Sequence, residues 1–159
     1  MASWSFEVRK ATADDIPEIQ QITKEAFEKY MELAGLNGKI AALEETYEDI
    51  KKDIETKEVF VAYIDGIPVG SARVEISPNN TAYFSRFGVR LDYQNNGVGK
   101  AIMNVVDMAM KELGIKKLYL HTASKIFSLI RFYYGRGFYI ESTSTDRGYI
   151  RALLCKDYK

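Results

Sequence analysis

The stretch YFSRFGVRLDYQNNGVGKAIMNVV, residues 83–106, passes from an extended aromatic run through an Asn/Gly loop into helical spacing. From Gly97 onward, Val98, Ile102, Val105, Val106, Ala109, Met110 and Leu113 fall on one helical face, with Gly114 placed to end the helix. Glycines at such a junction let a ligand approach the backbone, which brings phosphate-binding patterns into question. A Walker loop needs glycine five residues before Gly99-Lys100 and Ser or Thr after it, but Gln94 and Ala101 stand there. A dinucleotide fingerprint beginning at Gly97 needs glycine at position 102, which is Ile102. What remains is Gln94-x-x-Gly97-x-Gly99 at a helix start. Its backbone NH groups and the positive end of the helix dipole would form an anion site. The other reading is an ordinary loop whose glycines serve turn geometry, and the loop alone does not choose between the two.

Upstream, SWSFEVRKA alternates like a strand and TADDIPEIQQITKEAFEKYMEL takes helical spacing, with Ile16, Ile19, Ile22, Ala26, Phe27 and Tyr30 on one face. Thr12 with Asp15, or Asp15 with Glu18, supplies a capping box, and Pro17 suits the first turn. GLNGK breaks that helix, and IAALEETYEDIKKDIE reads as a second one with an acidic outer face. EVFVAYI, PVGSARVEI and TAYFSRFGVRL read as consecutive strands joined by DG and SPNN turns that suit antiparallel hairpins. Downstream, KKLYLHT is a short strand, KIFSLIRFYYGRG a helix, and FYIESTST with GYIRALLCKD a closing hairpin. This order implies an α/β domain with one mixed sheet and helices on both faces.

A chain of 159 residues, 47% of them hydrophobic, has the length for one domain spanning residues 1–159. Acidic and basic side chains balance at 22 each, which disfavours nucleic-acid binding by bulk charge. One cysteine, Cys155, rules out an intrachain disulfide, and one His with one Cys offers no metal-ligand cluster. No segment approaches the roughly 20 apolar residues of a membrane span, and MASWSFEVRK lacks an apolar signal segment. The expectation is a cytoplasmic protein without membrane or nucleic-acid partners.

Gln94-x-x-Gly97-x-Gly99, following FSRFGVRLDY, resembles the acetyl-CoA pyrophosphate loop of the GNAT superfamily of N-acetyltransferases. Downstream, LIRFYYGRGFY resembles that family's Phe-Tyr-x-x-x-Gly-Phe segment through Phe132, Tyr133, Gly137 and Phe138. The element order agrees along nearly the whole chain. The resemblance implies a GNAT-like, mostly antiparallel sheet of about seven strands. A splayed central strand pair, here YFSRFGV and LYLHT, would hold pantetheine in its gap. It further implies that the Phe87 carbonyl and Val89 amide bond the pantetheine arm. Gln94, Asn95, Asn96, Gly97, Val98, Gly99 and Lys100 would then serve the pyrophosphate. Gly88, between Phe87 and Val89, fits a bulge or a close approach.

The same resemblance puts Tyr133 at the position of the acid that protonates the departing thiolate. A phenol of pKa about 10 is reasonably matched to a thiol of about 8.5. His121, the only histidine, lies on the strand bordering the gap, at an offset where ribosomal-protein alanine N-acetyltransferases carry a glutamate base. An imidazole of pKa near 6.5 suits that task; Glu75, Ser85 and Glu141 are rivals acting through water. Two positions depart from the family pattern, Ile126 in place of Asn and Leu129 in place of a small residue. The acceptor cleft would form from YMELAGLNGK and STSTDRG. Its occupant is expected to be a small-molecule or peptide amine, with a homodimer left open. The acidic run Glu44, Glu45, Glu48 and Asp49 reads as a solvated helix face or, less simply, as an attractor for a polyamine or basic peptide. A non-catalytic acyl-CoA sensor is the alternative to a working acetyltransferase. Retention of Tyr133 argues for the enzyme.

Overall fold

The computed structural model describes residues 5–38 and 40–158. Ser3 and Trp4 of the first expected strand and Lys39 of the first helix connection therefore lie outside the described residues. The chain runs β1 (Phe6–Lys10), α1 (Ile16–Ala34), α2 (Tyr47–Thr56), β2 (Glu58–Ile64), β3 (Ile67–Ser77), β4 (Thr81–Val89), α3 (Val98–Glu112), β5 (Lys117–Ala123), α4 (Phe127–Gly135), β6 (Tyr139–Ser144) and β7 (Arg151–Asp157). The strands form one 7-stranded sheet in the order β1-β2-β3-β4-β5-β7-β6. Every neighbouring pair is antiparallel except β4 and β5. Among the described residues, no helix is long and apolar enough to cross a membrane.

Alternation in β2 explains why helices cover both faces of the sheet. Val59 and Val61 pack with Ile16 and Ile19 of α1 and Ile50 of α2. Phe60, Ala62 and Ile64 turn the other way, into the larger core with Val98, Ile102, Val106 and Met110 of α3. The β2–β3 hairpin turns on Asp65 (φ 50°) and Gly66 (φ 81°), both left-handed as a two-residue turn of this kind requires. At the start of α1 the Asp15 carboxylate accepts from the Thr12 amide at 2.7 Å, which selects the earlier of the two capping assignments.

The second helix differs from the sequence reading. Only a short 3-10 turn forms over Ala41–Leu43, and α2 begins at Tyr47 rather than near Ile40. Thr46 sets that start: its hydroxyl accepts from the Asp49 amide at 3.2 Å while the Asp49 carboxylate accepts from the Thr46 amide at 2.9 Å. The periodic apolar residues before it, Ile40, Ala42 and Leu43, belong to the connection. The end of α3 is also less apolar than its spacing suggested, since Leu113 is exposed beyond the last buried position, Met110.

Candidate active site

Strands β4 and β5 pair in parallel only at Thr81–Lys117, Ala82–Leu118 and Tyr83–Tyr119, and then diverge. Beyond Tyr83 a cleft of about 1090 Å³ opens, walled by both strands, the start of α3 and one side of α4. The Arg90 amide donates to Val69 O at 2.8 Å across to β3. Alternation therefore turns the Val89 amide to the opposite edge, into the gap, and Phe87 shares that edge two residues earlier. The sheet bulges just before this point, because Ser71 faces Gly88 while Arg73 faces Ser85. The extra residue is accommodated at Arg86, whose φ is 52°. Gly88 is thus not itself the bulge. A Cβ there would sit 2.5 Å from the Ala26 Cβ, so the glycine lets α1 lie directly on β4.

The loop before α3 is left-handed at Asn95 (φ 66°) and at Gly97 (φ 82°). Gly97 caps the helix without a side-chain bond, so the first-turn amides of Val98, Gly99 and Lys100 have no capping oxygen. Gln94 braces the loop from within, its Nε2 donating to Val89 O at 3.3 Å. Of the loop residues expected at a ligand, Gln94, Asn95, Gly97, Val98, Gly99 and Lys100 line the cleft; Asn96 does not. Gly99 has an additional packing role. A Cβ on it would meet the Phe87 ring at 3.0 Å, and that ring stacks on Phe132 at 5.6 Å.

Tyr133 is buried in an aromatic cluster, edge-on to Phe84, Phe132 and Phe138, and reaches the cleft wall. Its hydroxyl has no hydrogen-bond partner among the described residues. Burial, then the neighbouring Tyr30 and Tyr83, push its pKa well above the ordinary phenol value, so it stays protonated. Tyr134 points elsewhere as its spacing requires, its hydroxyl accepting from the Ile140 amide at 3.2 Å. Ile126 is buried, and Leu129, half-buried against the larger core, lines the cleft.

His121 also lines the cleft, and its Nδ1 lies 2.7 Å from the Tyr83 hydroxyl. Burial and the charge of Arg151 lower its pKa below the ordinary histidine value, leaving the imidazole neutral at pH 7. The Tyr83 partnership escaped the sequence: period-two spacing gives the face of a side chain but not the cross-strand neighbour. Tyr30 of α1 and Tyr149 of the last hairpin were missed as a pair for the same reason. Their hydroxyls meet at 3.0 Å, and Tyr30 also accepts from the Ala123 amide at 2.9 Å. Glu75 and Ser85 reach the wall of the cleft, whereas Glu141 lies outside it.

Within the acidic run Glu44, Glu48 and Asp49 are exposed, as on a solvated face, and Glu45 departs from it. Glu45 turns under the sheet to Arg73, which is 0% exposed and donates to it at 2.5 and 2.8 Å. Arg73 also reaches Asp53 at 2.8 Å, and Arg86 donates to Glu45 at 3.2 Å. The sequence reading missed the role of Glu45 because an arginine inside an apolar strand demands buried carboxylates that no helical periodicity reveals. Cys155 is buried, and burial raises its pKa, which suits a core residue.

An open cleft between diverging parallel strands thus carries an uncapped helix start and a buried phenol on its walls. The profile of the Acetyltransferase (GNAT) family matches residues 16–138, and the chain belongs to that family. Over 61 residues it is 36% identical to a Bacillus subtilis (strain 168) protein provisionally named an acetyltransferase. That match spans 38% of this chain and 41% of the relative. The fold is shared with the PaiA N-acetyltransferase of Thermoplasma acidophilum, solved in complex with coenzyme A. The TM-score there is 0.85, with 22% identity and coverage of 97% of this chain and 99% of that one. A spermidine N-acetyltransferase SpeG chimera from Vibrio cholerae and hSSAT has a TM-score of 0.77 at 18% identity, covering 96% and 95%. The ribosomal-protein-alanine N-acetyltransferase of Brucella melitensis has the same TM-score at 17% identity, covering 96% and 99%.

Proposed function

We propose that the protein transfers an acetyl group from acetyl-CoA to a primary amine by direct attack within a ternary complex. The observation that carries this reading is Tyr133, a phenol kept protonated by burial, with an unpartnered hydroxyl on the wall of the gap between β4 and β5. The donor fits the residues present. The free edge of β4 offers the Phe87 carbonyl and Val89 amide to a pantetheine arm. The first-turn amides of α3, with Lys100, offer donors and positive charge to a pyrophosphate.

The chemistry follows from the two titratable groups. His121 takes a proton from the acceptor ammonium through Nε2. This requires its Nδ1–H to donate to the Tyr83 oxygen, so Tyr83 acts as a positioning residue. The freed amine attacks the thioester carbonyl, whose developing charge the Val89 amide stabilises. As the C–S bond breaks, Tyr133 gives its proton to sulfur. The protons balance because the ammonium releases two, one carried by His121 to solvent and one that restores the Tyr133 phenol.

Thiol release from acetyl-CoA, measured against a panel of small amines, amino acids and N-terminal peptides, tests this reading. Thermal stabilisation by CoA in the same samples reports binding separately. Amine-dependent release together with CoA stabilisation is the expected result. Stabilisation without release on any acceptor would make the protein an acyl-CoA sensor, and absence of both would remove the assignment of the donor.

A further inference from the structure

The wall around His121 is built from Tyr30, Tyr83, Arg147, Tyr149 and Arg151. Arg151 opens β7 opposite Ala123, and His121 lies opposite Leu153, so Arg151 and His121 are diagonal neighbours on one face of the sheet. The Arg151 side chain is 11% exposed, and its Nε is buried without a hydrogen-bond partner. Among the described residues its one ion pair is a long contact of 3.4 Å to Asp146, a carboxylate already shared with Ser144 at 2.9 Å. Arg147 has no ion pair among the described residues. The loop carrying it is held in place, because Gly148 NH donates to Thr145 O at 3.1 Å and Tyr149 bonds Tyr30.

The charges at this end of the cleft do not cancel at the imidazole. Arg151 and Arg147 both disfavour its protonation, and Asp146 opposes them with less effect than Arg151 alone. Burial raises the pKa of the Tyr83 hydroxyl, and the charges of Arg151, Arg147 and Arg86 act against that shift without reversing it. Among the described residues the carboxylates lining the cleft are Glu75 and Asp53, and Asp53 is paired with Arg73 and Lys57; Glu45, off the wall, is committed to Arg73 and Arg86. A polyamine would bring further positive charge toward two arginines. A carboxylate would bring the acceptor oxygens that their guanidinium groups lack.

We propose that the acceptor is an amine that itself carries a carboxylate, an amino acid or a small molecule of that type, held by Arg147 and Arg151 with its amino group at His121. The chemistry of this proposal rests on the transferase reading, but its recognition step is measurable by binding alone. With CoA present, a panel of L-amino acids, the same compounds as carboxamides, and spermidine are compared by thermal shift and by thiol release. At least one amino acid should stabilise the protein and react with a kcat/KM about tenfold or more above its carboxamide and spermidine. Arg147 is exposed, so Arg147→Gln should fold; it should erase that preference and leave CoA stabilisation intact. Equal or better binding of carboxamides or spermidine, no stabilisation by any amino acid, or an unchanged preference in Arg147→Gln would each overturn the proposal. Amino-acid stabilisation without thiol release would support it while overturning the transferase reading.

Discussion

The base role proposed for the lone histidine rests on its contact with Tyr83. An imidazole whose Nδ1 is occupied by a phenol has a single nitrogen left for an acceptor, and that nitrogen is a base only in the tautomer whose Nδ1–H donates to Tyr83. Because burial and Arg151 depress its pKa, the acid limb of kcat/KM should fall below the ordinary value of about 6.5. The sign is consistent with stability: a histidine with a lowered folded pKa contributes fully above its unfolded pKa, and that contribution is lost as pH falls through the folded one. Tyr83→Phe should move the limb and lower the rate without changing CoA affinity, whereas His121→Ala should remove the limb. A limb at or above pH 6.5, or a profile indifferent to both substitutions, contradicts the role given to this pair. The sequence identified His121 and Tyr133 separately, one as the only histidine and one within a motif. Neither signal contained Tyr83, whose importance arises from where a parallel pairing ends.

At the scale of elements, β4 does most to shape the cleft, and its form depends on α1. The bulge at Arg86 and the missing Cβ of Gly88 together allow α1 to seat against the strand while the far edge stays unpaired. Gly88→Ala should therefore press α1 away and destabilise the fold by about 1–3 kcal/mol, as overpacking does. Ala26→Gly, though unfavourable alone by about 1 kcal/mol, should recover part of that loss in the double variant. Denaturant unfolding of the four proteins checks this coupling, and simple additivity would contradict it. The order of strands and helices was readable because turns such as Asp65-Gly66 and the apolar spacing of α3 are local signals. The start of α2 was misread although Thr46 and Asp49 stood in the sequence as a capping box, because the apolar residues before them continued the helical spacing.

For the whole molecule, equal numbers of acidic and basic residues conceal a strongly sorted distribution. Glu45 of the helix connection and Asp53 of α2 neutralise Arg73 beneath the sheet, while the last hairpin delivers Arg147 and Arg151 to the cleft. A net charge of zero was accurate and uninformative about the acceptor, since sorting of charge is a property of the fold. The donor side was far more legible, because a helix start rich in glycine after an aromatic strand is a contiguous feature. Both halves meet at Tyr133, the acid of the proposed acyl transfer. The most direct measurement is amine-dependent thiol release from acetyl-CoA by the native protein and by Tyr133→Phe, with CoA affinity measured on both. Release by the native protein is expected, with a loss of about a hundredfold or more in the variant, at unchanged affinity. Equal rates in the two proteins, or no amine-dependent release by the native one, would contradict it.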